Sequence, residues 1–190
     1  LKPFLYALSI EEGLIHPRSL LFDIPTQISS FSPVNSDERF RGLVSAEQAL
    51  AQSLNVPAAR LLDRYGIDRL YFFLKQGGLE HLFRPAADYG IPLVLGGAEA
   101  ELEELVNLYR MLGNNGMLSP LVYLDTPAGS KNTGSAGRSE RVLKPGSAFL
   151  TLEMLRNLER PGAELFWEDL AGKKPIAWKT GTSYGFKDAW

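Results

Sequence analysis

Apolar residues recur with helical spacing through the first two thirds of this 190-residue sequence, and this periodicity restricts the fold more than any other feature. Phe4, Leu5 and Leu8 begin a stripe that ends at Gly13. Ser45 and Gln48 have the spacing of a capping box at the start of a second helix. The pattern predicts five or six helices, with later ones in "VPAARLLDRYG", "IDRLYFFLKQGG", "LGGAEAELEELVNLYRMLGNNG" and "PGSAFLTLEMLRNLERPG".

Short strands are predicted among these helices. The candidates are "PLVYL" at residues 120–124, "RVL" at 141–143 and a last strand that leads into "WKTGTSYG". Residues 14–42 are rich in Pro, Ser and Asn, which predicts an extended surface excursion. Residues 126–140 are rich in Gly and Ser and are predicted to form a mobile polar loop. The chain therefore mixes α and β structure.

Composition excludes several classes of function. The sequence is 45% apolar and 22% charged, as in a soluble globular protein, and no apolar run reaches the roughly 18 residues of a membrane span. A net charge of −2 gives no electrostatic reason for binding nucleic acid or an anionic membrane. The absence of cysteine excludes thiolate chemistry, and the two histidines, His16 and His81, are too far apart to suggest a metal site. No cofactor is predicted.

Three polar patterns remain that could carry chemistry: Lys2, Ser53-x-Asn55 and Lys179-Thr180-Gly181. Taken alone, each has an ordinary explanation, namely a solvated lysine, a helix cap and a polar strand end. Ile176 and Trp178 alternate before the last pattern as in a half-buried strand. Gly96-Gly97 resembles a phosphate-binding loop only superficially, because the lysine and hydroxyl that should follow are absent.

Together, these patterns resemble the transpeptidase domain of class A penicillin-binding proteins, most closely the 1C subgroup. S-x-x-K, S-D-N and K-T-G are the signature motifs of this superfamily. The resemblance implies an α+β fold of the serine β-lactamase/D,D-transpeptidase type, with a helical part beside an antiparallel sheet and a cleft between them. Residues 1–190 would be a partial domain, truncated at both ends. The matching stretches are "LKPFLYALSIEEGLIHPRSLLFDIP", "FRGLVSAEQALAQSLNVPAARLL", "LGGAEAELEELVNLYRMLGNNG" and "AWKTGTSYGFKDAW".

The resemblance assigns catalytic roles to three residues. Lys2 matches the lysine of S-x-x-K, whose nucleophilic serine would stand two residues before Leu1. A lysine acts as a base near neutral pH only when burial or a second cation lowers its pKa, and Lys179 would supply that cation. Ser53 would shuttle a proton to the leaving nitrogen. Asn55 would hold the amide of the substrate.

The resemblance also implies a binding edge at Lys179-Thr180-Gly181-Thr182. Lys179 would add positive potential, and the hydroxyls of Thr180 and Thr182 would bind a terminal carboxylate. Gly181 would leave room for a peptide to lie antiparallel to the strand. The backbone N–H of Thr182 and that of the serine would form the oxyanion hole.

The implied function is peptidoglycan cross-linking by a serine acyl-enzyme that takes a D-Ala-D-Ala stem peptide and is trapped by β-lactams. The parent protein would carry an upstream glycosyltransferase domain and be anchored in the inner membrane, with the catalytic part in the periplasm. The 190 residues would make no membrane contact themselves. Without the serine, this segment alone is expected to be inactive.

Three alternatives stay open at this point. A D,D-carboxypeptidase or β-lactamase would pass the acyl group to water, although Leu54 in place of the motif's aspartate disfavours a β-lactamase. A penicillin-sensing receptor would be acylated without turnover. A non-catalytic scaffold would have kept only the fold.

Overall fold

The computed structural model describes residues 1–121, 139–156, 176–183 and 189. Helices dominate these residues and the strands are short, which confirms the predicted α+β class. In chain order the elements are α1 (Lys2–Glu11), β1 (Leu20–Asp23), β2 (Gly42–Ser45), α2 (Ala46–Ala51), α3 (Asn55–Tyr65), α4 (Ile67–Gln76), α5 (Ala86–Tyr89), a 3₁₀ helix (Ile91–Val94), α6 (Leu102–Gly113), β3 (Met117–Leu118), β4 (Glu140–Arg141) and α7 (Pro145–Arg156).

Helix α1 lies at the centre of the core. Every residue from Lys2 to Ser9 is buried, and Phe4, Leu5 and Tyr6 have no exposed surface at all. A helix that is apolar on all sides must be surrounded, and α1 packs against α2, α3 and α7. The predicted apolar stripe thus belongs to a helix that is buried on all sides from Lys2 to Ser9. Lys2 is consequently placed in the protein interior.

The predicted helix boundaries are confirmed where local signals define them. Ser45 Oγ accepts from the backbone N–H of Gln48, and the Gln48 side chain accepts from the Ser45 N–H, both at 3.1 Å. This reciprocal capping box begins α2. Helix α3 ends at Tyr65, and the next residue, Gly66, has a φ of +107°, which suits glycine. The Ser53-x-Asn55 motif thus lies where α2 ends and α3 begins.

The structure corrects the predicted strand near residue 120. The strand is β3, Met117–Leu118, which pairs antiparallel with β4. Pro120 and Leu121 have no regular structure, and residues 122–124 lie outside the described residues. Of the predicted loop 126–140, residues 126–138 are likewise outside them, whereas Glu140 belongs to β4.

Residues 14–42 are more than a surface excursion. They contain β1, which pairs antiparallel with β2 in the register Leu20↔Ser45 to Asp23↔Gly42. Asp23 and Asn35 are buried, at 0% and 3% exposure. Buried polar side chains need hydrogen-bond partners, so this segment is attached to the domain at defined points.

The segment that carries Lys179-Thr180-Gly181 departs from the predicted strand. Residues 176–181 have no regular secondary structure, and Thr182 makes a single antiparallel bridge with Ala189. Ile176 is 59% exposed, so its predicted place in a half-buried alternation is wrong. None of the helices in the described part of the chain is long and apolar enough to cross a membrane.

Candidate active site

Four of the predicted site residues meet around one hydroxyl. Lys2 Nζ donates to Ser53 Oγ at 3.3 Å, to the Ser53 carbonyl at 2.9 Å and to Asn55 Oδ1 at 2.7 Å. Lys179 Nζ donates to the same Ser53 Oγ at 2.6 Å. Residues from the start, middle and end of the chain therefore form one polar cluster, in which Ser53 bridges two lysines.

Ser53 is held by the end of α2 in a conformation that L-residues rarely adopt. Its φ is +57°, in the left-handed region. The Ser53 N–H bonds to the Leu50 carbonyl and the Leu54 N–H bonds to the Ala49 carbonyl, which is the Schellman pattern of a helix end. Glycine is the usual residue at this position. A serine at this position has a strained backbone, and its side chain places a hydroxyl between the two lysines.

Burial makes Lys2 a candidate base. The side chain is 8% exposed, and its pKa falls to about 7, mainly because burial disfavours the ammonium form. The charge of Lys179 lowers the pKa further, as the second cause. Burial and a second cation were the two causes expected from the sequence; both lower the pKa of Lys2, and burial is the larger. Near neutral pH, Lys2 can therefore release or accept a proton.

Lys179 is partly buried, unlike a typical surface lysine. Its pKa falls to about 8 through burial. The ammonium donates to Ser53 Oγ and to the carbonyl of Thr180. Because Ser53 Oγ accepts from both lysines, its own hydroxyl proton is directed away from them.

The amide of Asn55 is oriented on both sides. Its Oδ1 accepts from Lys2, and its Nδ2 donates to the Val34 carbonyl at 2.8 Å. The described contacts of the Asn55 amide are thus with the protein. The predicted contact with a substrate amide would use the hydrogen-bonding positions of Asn55 that remain. Neither Ser53 nor Asn55 caps a helix by its side chain, which was the ordinary explanation for this motif.

The remaining predicted binding residues follow Lys179 directly in the chain. Thr180 and Thr182 are exposed, and Gly181 is partly buried. Gly96 packs so closely against this segment that a Cβ there would lie 2.6 Å from the Thr182 carbonyl oxygen. The first glycine of the pair that superficially resembles a phosphate loop therefore packs against the Thr182 backbone, whereas Gly97 packs against Pro92. Sequence reasoning missed this contact, although the paired glycines were a signal of close approach.

The described residues contain no group of three or more His, Cys, Asp and Glu side chains arranged to hold a metal ion. The cluster contains two lysines of lowered pKa, one serine with a strained backbone conformation and one amide of fixed orientation. Such a set can accept a proton, pass it through a hydroxyl and hold an anionic or peptide ligand nearby.

Comparison with known proteins identifies the family of this chain. The family model described as the penicillin binding protein transpeptidase domain matches residues 1–189. Penicillin-binding protein 1C of Escherichia coli strain K12 is 36% identical over the whole chain, which corresponds to 23% of that protein's length. Penicillin-binding protein 1F of Bacillus subtilis strain 168 is 27% identical, also over the whole chain and 27% of its own length. The chain thus spans about a quarter of these relatives.

Solved structures share the fold. The penicillin-binding protein PonA1 from Mycobacterium tuberculosis aligns with a TM-score of 0.72 and 20% identity, over 95% of this chain and 50% of that one. Penicillin binding protein 3 of Mycobacterium tuberculosis aligns with a TM-score of 0.65 over 86% of this chain and 42% of its own. The resemblance to the 1C subgroup is confirmed by the sequence comparison, and the chain belongs to the transpeptidase-domain family of penicillin-binding proteins.

Proposed function

We propose that this chain supplies the proton-relay and carboxylate-binding part of a peptidoglycan D,D-transpeptidase. The observation that carries the proposal is the bridge from Lys2 through Ser53 Oγ to Lys179, with distances of 3.3 and 2.6 Å. A buried lysine whose pKa is about 7 is the kind of base that a serine nucleophile needs at neutral pH.

The proposed reaction begins with a serine two residues before Leu1 in the parent protein. Neutral Lys2 takes the hydroxyl proton while the serine oxygen bonds to the carbonyl carbon of the penultimate D-alanine. Collapse of the tetrahedral intermediate breaks the C–N bond, and the proton reaches the leaving nitrogen through Ser53. D-Alanine departs and an acyl-enzyme remains. The amine of a second stem peptide then attacks the ester carbonyl carbon, the C–O bond to the serine breaks, and the amine proton passes to the serine oxygen, which restores the serine and forms the cross-link.

The segment that contains Lys179 is proposed to bind the terminal carboxylate. Thr180 and Thr182 are exposed beside the lysine, and small or hydroxyl-bearing residues leave the backbone open to an extended peptide. The backbone N–H of Thr182 would complete the oxyanion hole. A β-lactam would acylate the same serine, but its leaving nitrogen stays tethered to the acyl group.

The decisive experiment is acylation of the full-length protein by a fluorescent penicillin. We expect one covalent adduct, located by mass spectrometry at the serine before Leu1, and its loss in the Ser→Ala variant at that position. The 190-residue chain by itself should form no adduct. A parent protein that binds no penicillin covalently, or an adduct on the isolated chain, would contradict the proposal.

Product analysis separates the proposed transpeptidase from the other acyl-transfer functions. With a donor stem pentapeptide and an added D-amino acid or stem-peptide amine, a transpeptidase gives an exchanged or cross-linked product. A carboxypeptidase gives only the tetrapeptide and free D-alanine, and a sensor domain gives a stable adduct without turnover. For the parent we further propose an upstream glycosyltransferase domain and a membrane anchor, with this chain at the periplasmic face, in keeping with the greater length of the relatives.

A further inference from the structure

Helix α3 begins at Asn55, the last residue of the Ser53-x-Asn55 motif, and the residue before it does not cap its first turn. The residue at the N-cap position, Leu54, has an apolar side chain and makes no side-chain cap. The first backbone N–H groups of a helix lack partners within the helix and must find them elsewhere. Here Asn35 Oδ1 accepts from the N–H of Asn55 at 2.8 Å and from the N–H of Val56 at 3.3 Å. The cap is therefore supplied by a residue about twenty positions earlier.

The residue next to Asn35 fixes the side chain of Asn55. The Val34 carbonyl accepts from Asn55 Nδ2 at 2.8 Å. The nitrogen and oxygen of an amide are bonded to the same planar carbon, so fixing the nitrogen also fixes the direction of the oxygen. Asn55 Oδ1 consequently meets Lys2 Nζ at 2.7 Å. Val34 and Asn35 together hold both the backbone and the side chain of Asn55.

Asn35 is itself fixed in orientation. It is 3% exposed, and its Nδ2 donates to Asp23 Oδ1 at 2.8 Å and to the Arg39 carbonyl at 2.7 Å. Asp23 is fully buried, and its other oxygen accepts from the Arg41 N–H at 3.0 Å. Since both amide hydrogens of Asn35 are used by acceptors, its oxygen must face α3. The side chain cannot rotate without leaving buried groups unpaired.

We propose that Asn35 is a positioning residue of the active site, which sets the place of the Ser53-x-Asn55 turn and aims Asn55 Oδ1 at Lys2. The inference rests on the proposed function, because it assigns Asn35 a part in preparing Lys2 for proton transfer. Asn35 touches neither Lys2 nor Ser53 Oγ among the described contacts, so it acts through Asn55. Val34 and Asn35 thus support the cluster of Lys2, Ser53 and Asn55 from outside it.

The first test is Asn35→Ala in the full-length protein. Without the cap, the start of α3 can shift and Lys2 loses a well-placed acceptor for its ammonium form. We expect the rate constant of acylation by a fluorescent penicillin to fall about tenfold at pH 7, with a smaller change in the dissociation constant of the non-covalent complex. The pKa of Lys2 should fall by about one unit, since hydrogen bonds to a charged donor stabilise that charge. Competitive labelling of lysines by an amine-reactive reagent, followed by peptide mass spectrometry, measures that pKa.

Glu104→Ala is the matched control. Glu104 also anchors a loop, accepting from the N–H groups of Glu80 and His81, but none of its described bonds reaches the lysine cluster. We expect this variant to lose thermal stability as Asn35→Ala does, with the acylation rate constant and the pKa of Lys2 unchanged. Equal losses of acylation in the two variants would reduce Asn35 to a general stabilising role and overturn the inference.

A second variant covers the case in which Asn35→Ala does not fold. Asn35→Asp keeps an oxygen for the N–H groups of α3 but opposes the Asp23 carboxylate. Adding Asp23→Asn restores a donor–acceptor pair between the two side chains. We expect the double variant to acylate faster than Asn35→Asp alone, and its Lys2 pKa to return toward the wild-type value. A double variant no better than the single one would contradict the inference.

The two proposals fail in different ways. If the wild-type protein forms no penicillin adduct, the proposed function fails, and labelling of Lys2 still decides whether Asn35 controls that side chain. If the wild-type protein is acylated but Asn35→Ala behaves as Glu104→Ala does, only the positioning role fails.

Discussion

Lys179 Nζ lies 2.6 Å from Ser53 Oγ, although 126 positions separate the two residues in the sequence. This bond connects the last motif of the chain to the middle one, and Ser53 Oγ also accepts from Lys2 at 3.3 Å. A single hydroxyl therefore links two cations whose pKa values both fall toward neutrality. The arrangement places two lysines and a hydroxyl next to the exposed residues Thr180 and Thr182.

Replacing Ser53 separates its chemical role from its backbone role. Ser53→Ala and Ser53→Gly both remove the hydroxyl between the lysines, so each should lower the acylation rate constant by roughly 10²-fold. Their stabilities should differ, because alanine at a φ of +57° keeps the left-handed strain that glycine avoids. We expect Ser53→Gly to be more stable than Ser53→Ala by about 1 kcal/mol in urea unfolding. Two variants with equal stability, or with clearly unequal acylation rates, would contradict this assignment.

Neutralising Lys179 should raise the pKa of Lys2. In Lys179→Met the repulsion between the two ammonium groups is gone, so the pKa should move upward from about 7, but remain well below 10.5 because burial is the larger cause of the shift. The labelling experiment described for Asn35 measures it. Lys144→Met, at an exposed lysine, serves as the control and should leave the pKa of Lys2 unchanged. An unchanged pKa in Lys179→Met would show that the two charges do not interact.

Local sequence signals predicted the helices well because the information is contained within a few neighbouring residues. Ser45 and Gln48 form their capping box within one turn, and Gly66 ends α3 by its own backbone preference. The central position of α1 was not predicted, because the sequence indicated one apolar stripe whereas every residue from Lys2 to Ser9 is buried. The pattern of Lys2, Ser53 and Lys179 was recognisable only as a family signature.

The features that sequence reasoning missed depend on contacts between distant segments. Asn35 looks like an ordinary loop asparagine, because its partners Asp23 and Asn55 become neighbours only in the folded chain. Gly96 likewise becomes a neighbour of the Thr182 backbone only in the folded chain. The strand predicted at Ile176 failed for a related reason, since alternation of residue types does not guarantee a paired neighbour or a covered face. Such long-range relationships have no local periodicity to reveal them.

The buried lysine should make stability depend on pH. The pKa of Lys2 is about 7 in the folded state and 10.5 as its ordinary value, so between these values the unfolded chain binds more protons. The free energy of unfolding therefore rises with pH across this window, by up to about 1.4 kcal/mol per pH unit for one group. Below pH 7 the folded state bears the full cost of the buried charge.

Lys2→Met tests this linkage directly. The variant should abolish acylation, yet its stability relative to the wild type should be greatest near pH 6.5 and decline toward pH 10. Urea unfolding at several pH values measures the difference, and Lys144→Met, which removes an exposed lysine, should run parallel to the wild type. Parallel curves for Lys2→Met and the wild type would mean that Lys2 keeps an ordinary pKa in the folded protein.

Gly96→Ala should weaken the binding edge without touching the lysines. A Cβ on Gly96 would stand 2.6 Å from the Thr182 carbonyl oxygen, and the φ of +102° adds strain for any L-residue. The backbone of Thr182 must therefore move, and its N–H would leave the position proposed for the oxyanion hole. We expect the second-order rate constant of penicillin acylation to fall by about tenfold or more.

Gly13→Ala separates backbone strain from displacement of Thr182. Gly13 also has a positive φ, +71°, but a Cβ there would meet nothing within 4 Å. This variant should lose about 1 kcal/mol of stability and keep the wild-type acylation rate. Because both variants strain a glycine position and only Gly96→Ala pushes on Thr182, a loss of acylation confined to Gly96→Ala would assign the effect to the binding edge. Equal acylation in the two variants would show that the position of the Thr182 backbone does not limit the reaction.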